Sequence, residues 1–158
     1  MNKSKIKYYI FFTPNLSFIG GAELYIKRKC EYLNRNDYIP LIITGNNLNI
    51  LIPELRKYTQ LMIEGIMFSP IFFSLKKRKI IIAKIANWIK INCDQSNNII
   101  IESHDISTAL WGELIAEKLK IINICYFLGR IELRNISIAY REFVKFKLDI
   151  KELISIFY

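Results

Sequence analysis

Two hydrophobic patterns alternate along this chain. Short runs are apolar at every position, and longer stretches carry apolar residues at every third or fourth position. The first pattern suits a strand covered on both faces, the second an amphipathic helix. Tyr8 to Phe12 is continuously apolar and predicts a first strand over Ile6–Phe12, stopped by Pro14 and Asn15. Ala22, Ile26, Cys30 and Leu33 keep helical spacing, while Lys27, Arg28, Glu31 and Asn34 face away, which predicts a helix over Ala22–Asn34. Ile39–Thr44 reads as a second strand, with Pro40 at its start, where a missing N–H is tolerated. Pro53 opens a short helix through Lys57, and Leu61–Glu64 reads as a short third strand.

An aromatic-rich connection from Gly65 to Ser74 leads into a long helix over Leu75–Ile91. Ile99-Ile100-Ile101 is a β-branched fourth strand that runs into Glu102-Ser103-His104-Asp105. Ser107 or Thr108 is the expected cap of the next helix, which ends near Leu119. Ile121–Phe127 reads as a fifth strand with both faces covered, Ile138–Leu148 as a helix, and Leu153–Tyr158 as a sixth strand. This alternation predicts an α/β fold: a Rossmann-like, doubly wound parallel sheet of about six strands in the order 3-2-1-4-5-6. Residues 1–158 then form a single domain. In that order strands one and four are neighbours, so the Gly20-Gly21 corner and His104-Asp105 line one cleft at the carboxyl ends of the strands.

Gly20 and Gly21 open the first helix. Either they only let the loop turn tightly, or they let a phosphate or a sugar hydroxyl approach backbone N–H groups at a helix N-terminus. Glu23 in the first helical turn favours the dipole. His104 is either a strand-end histidine satisfied by its neighbours or a group that meets a ligand. Asp105 suits a cap or turn. Several chemistries are excluded: there is no G-x-G-x-x-G, no acid at the end of strand two, no P-loop and no G-x-S-x-G nucleophile elbow.

Charge adds a second theme. The formal net charge is +9, and Lys76, Lys77, Arg78 and Lys79 crowd the start of the long helix, where positive charge opposes the dipole. Beside Ile81, Ile82, Trp88 and Ile89 this run suggests contact with an anionic membrane surface, the other reading being a solvated helix face. Nucleic acid ranks last as a partner, because the aromatics fall in expected core and do not interleave with Lys and Arg. The three cysteines are dispersed and unpaired, as buried thiols in a reducing compartment are. With one histidine and no C-x-x-C, no metal is expected. No apolar run reaches the ~18–20 residues needed to span a bilayer, and Met1 to Phe12 reads as structure and not as a processed leader. The expected location is the cytoplasm, peripherally on the inner face of the plasma membrane.

A first strand, a loop and then Gly20-Gly21-Ala22-Glu23 opening a helix resembles the N-terminal half of glycosyltransferase family 4, which has the GT-B fold. Ile99-Ile100-Ile101-Glu102-Ser103-His104-Asp105 is similar to that family's short apolar strand ending in a histidine, and Phe146 to Ser155 to its helix into strand six. The resemblance covers almost the whole chain. It implies retaining transfer of a sugar from a nucleotide-sugar to a saccharide or lipid-linked acceptor, in bacterial surface polysaccharide synthesis. No cofactor is implied, the nucleotide-sugar being a co-substrate. Gly20 and Gly21 would contact the donor diphosphate or sugar through N–H groups, and His104 would lie near the transferring sugar, with Glu23 and Asp105 beside them.

The chain departs from the family pattern in two places. The second histidine expected after strand five is missing, and Arg130 stands there as a candidate for an anionic group. The E-x7-E pair of the family's C-terminal nucleotide-sugar domain is also missing, so these residues are expected to be an acceptor-side piece that does not turn over alone. The rival to an enzyme is a stand-alone, membrane-associated binding module that recruits a catalytic partner.

Overall fold

The computed structural model describes residues 7–16, 20–45, 53–94 and 99–125. The expected Ile138–Leu148 helix, the sixth strand and Arg130 lie outside them. Five parallel strands form one sheet in the order β3-β2-β1-β4-β5. They are β1 (Lys7–Thr13), β2 (Tyr38–Thr44), β3 (Thr59–Met62), β4 (Ile99–Ser103) and β5 (Ile122–Cys125). Three helices, α1 (Gly21–Arg35), α2 (Leu75–Asn92) and α3 (Ile106–Leu119), cover both faces. This α/β arrangement is compatible with a Rossmann-like fold, and its five strands follow the expected order.

The period of two along β1 divides the core. Tyr8, Ile10 and Phe12 face α2 and α3, where they meet Ile81, Ile85, Ile89, Trp111 and Ile115. Tyr9 and Phe11 face α1 and meet Ile26, Cys30, Leu33 and Ile42. Burying a large side chain of this kind contributes about 1.5–3 kcal/mol, so the central strand anchors both layers. The long helix buries Ile81, Ile85 and Ile89 at four-residue spacing. Ile81 and Ile89 are therefore core residues, and Ile82 and Trp88 pack against that core half-buried.

Helix α3 comes down closely onto the sheet because Gly112 has no side chain. A Cβ there would lie 2.5 Å from Ser103 Oγ and 2.7 Å from Asn123 Oδ1. Those two atoms are hydrogen-bonded at 2.9 Å under the helix. Asn123 thus occupies the α3 side of β5, while Ile122 and Ile124 are exposed on the other side. The expectation of a fifth strand covered on both faces is corrected in this way for the described residues. The physical reason is that α1 crosses back toward β2 and leaves the α1 side of β5 uncovered by the described elements.

Two local assignments also shift. The third strand occupies Thr59–Met62, and Glu64 begins a 3-10 turn, Glu64–Met67. An edge strand with half-exposed positions carries no clear period, so its register is decided by pairing with Leu41–Thr44. The cap of α3 is Asp105, not Ser107 or Thr108. Its Oδ1 accepts from Thr108 N at 2.6 Å, and Asp105 N donates to Thr108 Oγ1 at 3.1 Å. Thr108 is the inner partner of this capping box.

Candidate functional site

Helices in such a sheet run antiparallel to the strands, so the helix N-termini gather at the strands' carboxyl ends. The strand order reverses between β1 and β4, which places the crevice where those two strands end. Phe12 and Ser103 are opposite each other there, and His104 N donates to Phe12 O at 3.1 Å. This bond extends the ladder one residue past β4 and sets His104 at the mouth. Its side chain is 2% exposed. The ring lies against Phe11 and Tyr25, with centroids 5.9 and 5.7 Å away.

Beneath the histidine lies a charged network. Glu102 faces α1, in one row with Phe11. The Tyr9 hydroxyl and the Lys29 ammonium both donate to its Oε2. Lys29 also donates to Tyr25 Oη at 2.7 Å, and its Nζ lies 4.9 and 5.2 Å from the Tyr9 and Tyr25 ring centres. Tyr25 and Lys29 reach the same place because they are four apart on α1. The other oxygen, Glu102 Oε1, lies 3.1 Å from His104 Nε2. That contact is close but poorly aligned, and it is electrostatic in the first instance.

Burial by itself would raise the Glu102 carboxyl, but His104, Lys29 and Tyr9 outweigh it and hold the group at about 2. Burial would lower Lys29, yet Glu102 and the two tyrosine hydroxyls raise it above the ordinary lysine range. Tyr9 is raised by burial and by the adjacent Glu102 charge. Asp105 is raised by burial, against opposing hydrogen bonds from Thr108. The result is an ionised carboxylate, a locked cation and a histidine whose Nδ1 has no hydrogen-bond partner among the described residues.

The glycine corner lies at the same end of the sheet, at the start of α1. Gly20 N donates to Glu23 Oε2 at 3.0 Å, so this N–H is taken by the helix's own carboxylate. A Cβ on Gly20 would meet that oxygen at 2.8 Å, whereas nothing lies within 4 Å of one on Gly21. Glu23 is therefore a capping residue, and Gly21 is the open position. At α3 the roles are reversed: Asp105 is itself the N-cap and accepts from Thr108 N. Lys76, Lys77 and Lys79 are exposed at the start of α2, while Arg78 turns back and donates from Nε to Phe73 O at 2.9 Å.

Sequence reasoning missed Glu102, Lys29 and Tyr9. One signal was present: a carboxylate following three β-branched residues in a buried strand requires partners. Nothing in the spacing of Tyr9 or Lys29 said that they were those partners.

The fold and site define an α/β domain with a parallel sheet and a histidine–glutamate pair at the point where the strand order reverses. Comparison with known proteins finds no matching family model, no matching curated protein and no matching solved structure.

Proposed function

We infer that this chain is the acceptor-binding half of a retaining glycosyltransferase. The enzyme transfers a sugar from a nucleotide-sugar to a saccharide or lipid-linked acceptor in bacterial surface polysaccharide synthesis. The observation that carries this reading is His104: a buried ring where β1 and β4 end, backed by Glu102, with an Nδ1 that is buried and has no hydrogen-bond partner among the described residues. A histidine so placed can bond a sugar hydroxyl or stabilise charge developing during transfer. The resemblance of Gly20 to Glu23 and of Ile99 to Asp105 to glycosyltransferase family 4 supplies the reaction class. The nucleotide site and its E-x7-E pair would belong to a separate C-terminal domain. In a protein carrying both domains, His104→Ala is expected to lower transfer at least ~100-fold with folding intact. Transfer near the wild-type rate would return His104 to a structural role.

A second observation favours a membrane-facing role, either with that activity or as a binding module that recruits a catalytic partner. Phe68, Phe72, Leu75 and Ile80 are exposed around Lys76, Lys77, Arg78 and Lys79, with Phe72 74% and Leu75 69% exposed. These residues replace Ile81, Ile82, Trp88 and Ile89 as the apolar companions of the basic run. The start of α2 lies at the same end of the sheet as the crevice, which would bring a lipid-linked acceptor to the site. No helix among the described residues is long and apolar enough to cross a membrane, so the contact proposed is peripheral.

A further inference from the structure

We propose that Glu102 is the positioning residue of this site. It holds the His104 ring with Nε2 protonated toward the carboxylate, and it leaves Nδ1 as the nitrogen presented to a ligand hydroxyl. The identification of that hydroxyl as a saccharide's rests on the transferase reading, but the state of the ring does not.

The geometry separates the two carboxylate oxygens by task. Oε2 is filled by donors from two different elements, Tyr9 on β1 and Lys29 on α1. Oε1 has no partner of that kind and lies 3.1 Å from Nε2. An ionised carboxylate only accepts, so the ring nitrogen that faces it must carry a proton. Turning the ring over would place a carbon against Oε1 and lose the contact. The proton on Nε2 then fixes the neutral tautomer, with the lone pair on Nδ1. Lys29 and Tyr9 matter because they keep Glu102 ionised inside the core.

The surroundings select the ligand group. His104 is faced by Glu102 from β4, Phe11 from β1 and Tyr25 from α1, with Asp105 beside it at the start of α3. The Lys29 charge is turned inward onto Glu102 and flanked by two tyrosine rings. Glu23 already occupies the Gly20 N–H. An anion would meet carboxylates at this corner, whereas a hydroxyl donating to Nδ1 would not. A purely structural network would leave no ring nitrogen unpaired in the interior. Here both ring nitrogens and Glu102 Oε1 are buried without a hydrogen-bond partner among the described residues, and only Nε2 has the carboxylate facing it, at 3.1 Å.

His104 is the sole histidine of the chain, so its ring gives one unambiguous set of signals in a long-range ¹H–¹⁵N correlation spectrum of the ¹⁵N-labelled 158-residue protein. Nε2 is expected to show a protonated-type shift, and Nδ1 the shift of a nitrogen that carries a lone pair. In Glu102→Gln the preference for Nε2–H is expected to fall at least about tenfold, because the charge that faces this nitrogen at 3.1 Å is removed. Lys29→Met, which leaves the carboxylate in place, should move the same signals in the same direction, and it decides the matter if Glu102→Gln fails to fold. A dominant Nδ1–H tautomer in the wild type, or unaltered ring signals in the folded variants, would overturn the proposal. Loss of transfer in Glu102→Gln with an unaltered ring would overturn it too, and would leave the transferase reading standing. A changed ring in a protein that shows no transfer with any donor domain would uphold the positioning role and remove that reading.

Discussion

Glu102→Gln exchanges an ionised carboxylate for a neutral side chain of nearly the same shape, and the structure sets what that costs. The Glu102 carboxyl lies at about 2 in the folded protein against an ordinary value of 4.5. At about 1.4 kcal/mol per pH unit, that gap corresponds to about 3 kcal/mol of stability at neutral pH. Because the folded value is depressed, the contribution is fully present above pH 4.5 and is lost as the pH falls toward 2. By pH 3 about 2 of the 3 kcal/mol is gone. The Gln variant has no such dependence. Its Lys29, still half-buried, loses its counter-charge at both pH values and adds a constant term. Urea unfolding at pH 7 and at pH 3, with wild type and variant side by side, is the assay. The stability gap is expected to be about 2 kcal/mol wider at pH 7, and the pH 7 melting temperature roughly 6–12 °C lower in the variant. A domain of ordinary stability survives such a loss. A gap of equal size at both pH values would refute the reasoning, because the stabilising species would then not be the ionised carboxylate.

Gly112→Val should destabilise the fold by roughly 1–3 kcal/mol in urea unfolding, because the added side chain meets the Ser103–Asn123 hydrogen bond under α3; unchanged stability would mean that α3 can lift off the sheet freely. Replacing Lys76, Lys77, Arg78 and Lys79 together by Gln should abolish co-sedimentation with anionic phospholipid vesicles, and Phe72→Ser should weaken it at unchanged charge. Binding by the quadruple variant at the wild-type level would remove the membrane contact.

The layered α/β architecture was legible because burial on two faces leaves a direct mark on composition. Tyr8 to Phe12, Leu41 to Ile43 and Ile99 to Ile101 are apolar at consecutive positions, and only strands sandwiched between helices need that. The long helix was equally plain, since Ile81, Ile85 and Ile89 recur at its period. Where a segment sits at an edge the mark fades. The register of β3 and the exposed side of β5 came from strand pairing and from the reach of α1, neither of which is local. The Asp105 cap lay two or three residues before the expected choice, because Asp105, Ser107 and Thr108 are all competent caps and only the backbone path selects one.

The sequence alone placed His104 at the end of an apolar strand and brought it to the same end of the sheet as the glycine pair, through the order in which parallel strands stack. It could not say what the histidine touches. Tyr9, Lys29 and Glu102 are far apart in the chain and carry no shared motif. They meet because β1 pairs with β4 in one particular register and α1 packs on the face that carries Tyr9 and Phe11. A pairwise charge interaction depends on distances of a few ångströms, whereas a hydrophobic pattern depends only on which face a residue is on. For that reason the sequence determined the layers, and the tertiary structure alone decided that a buried carboxylate stands behind the histidine and that the N–H of Gly20 is already taken by Glu23.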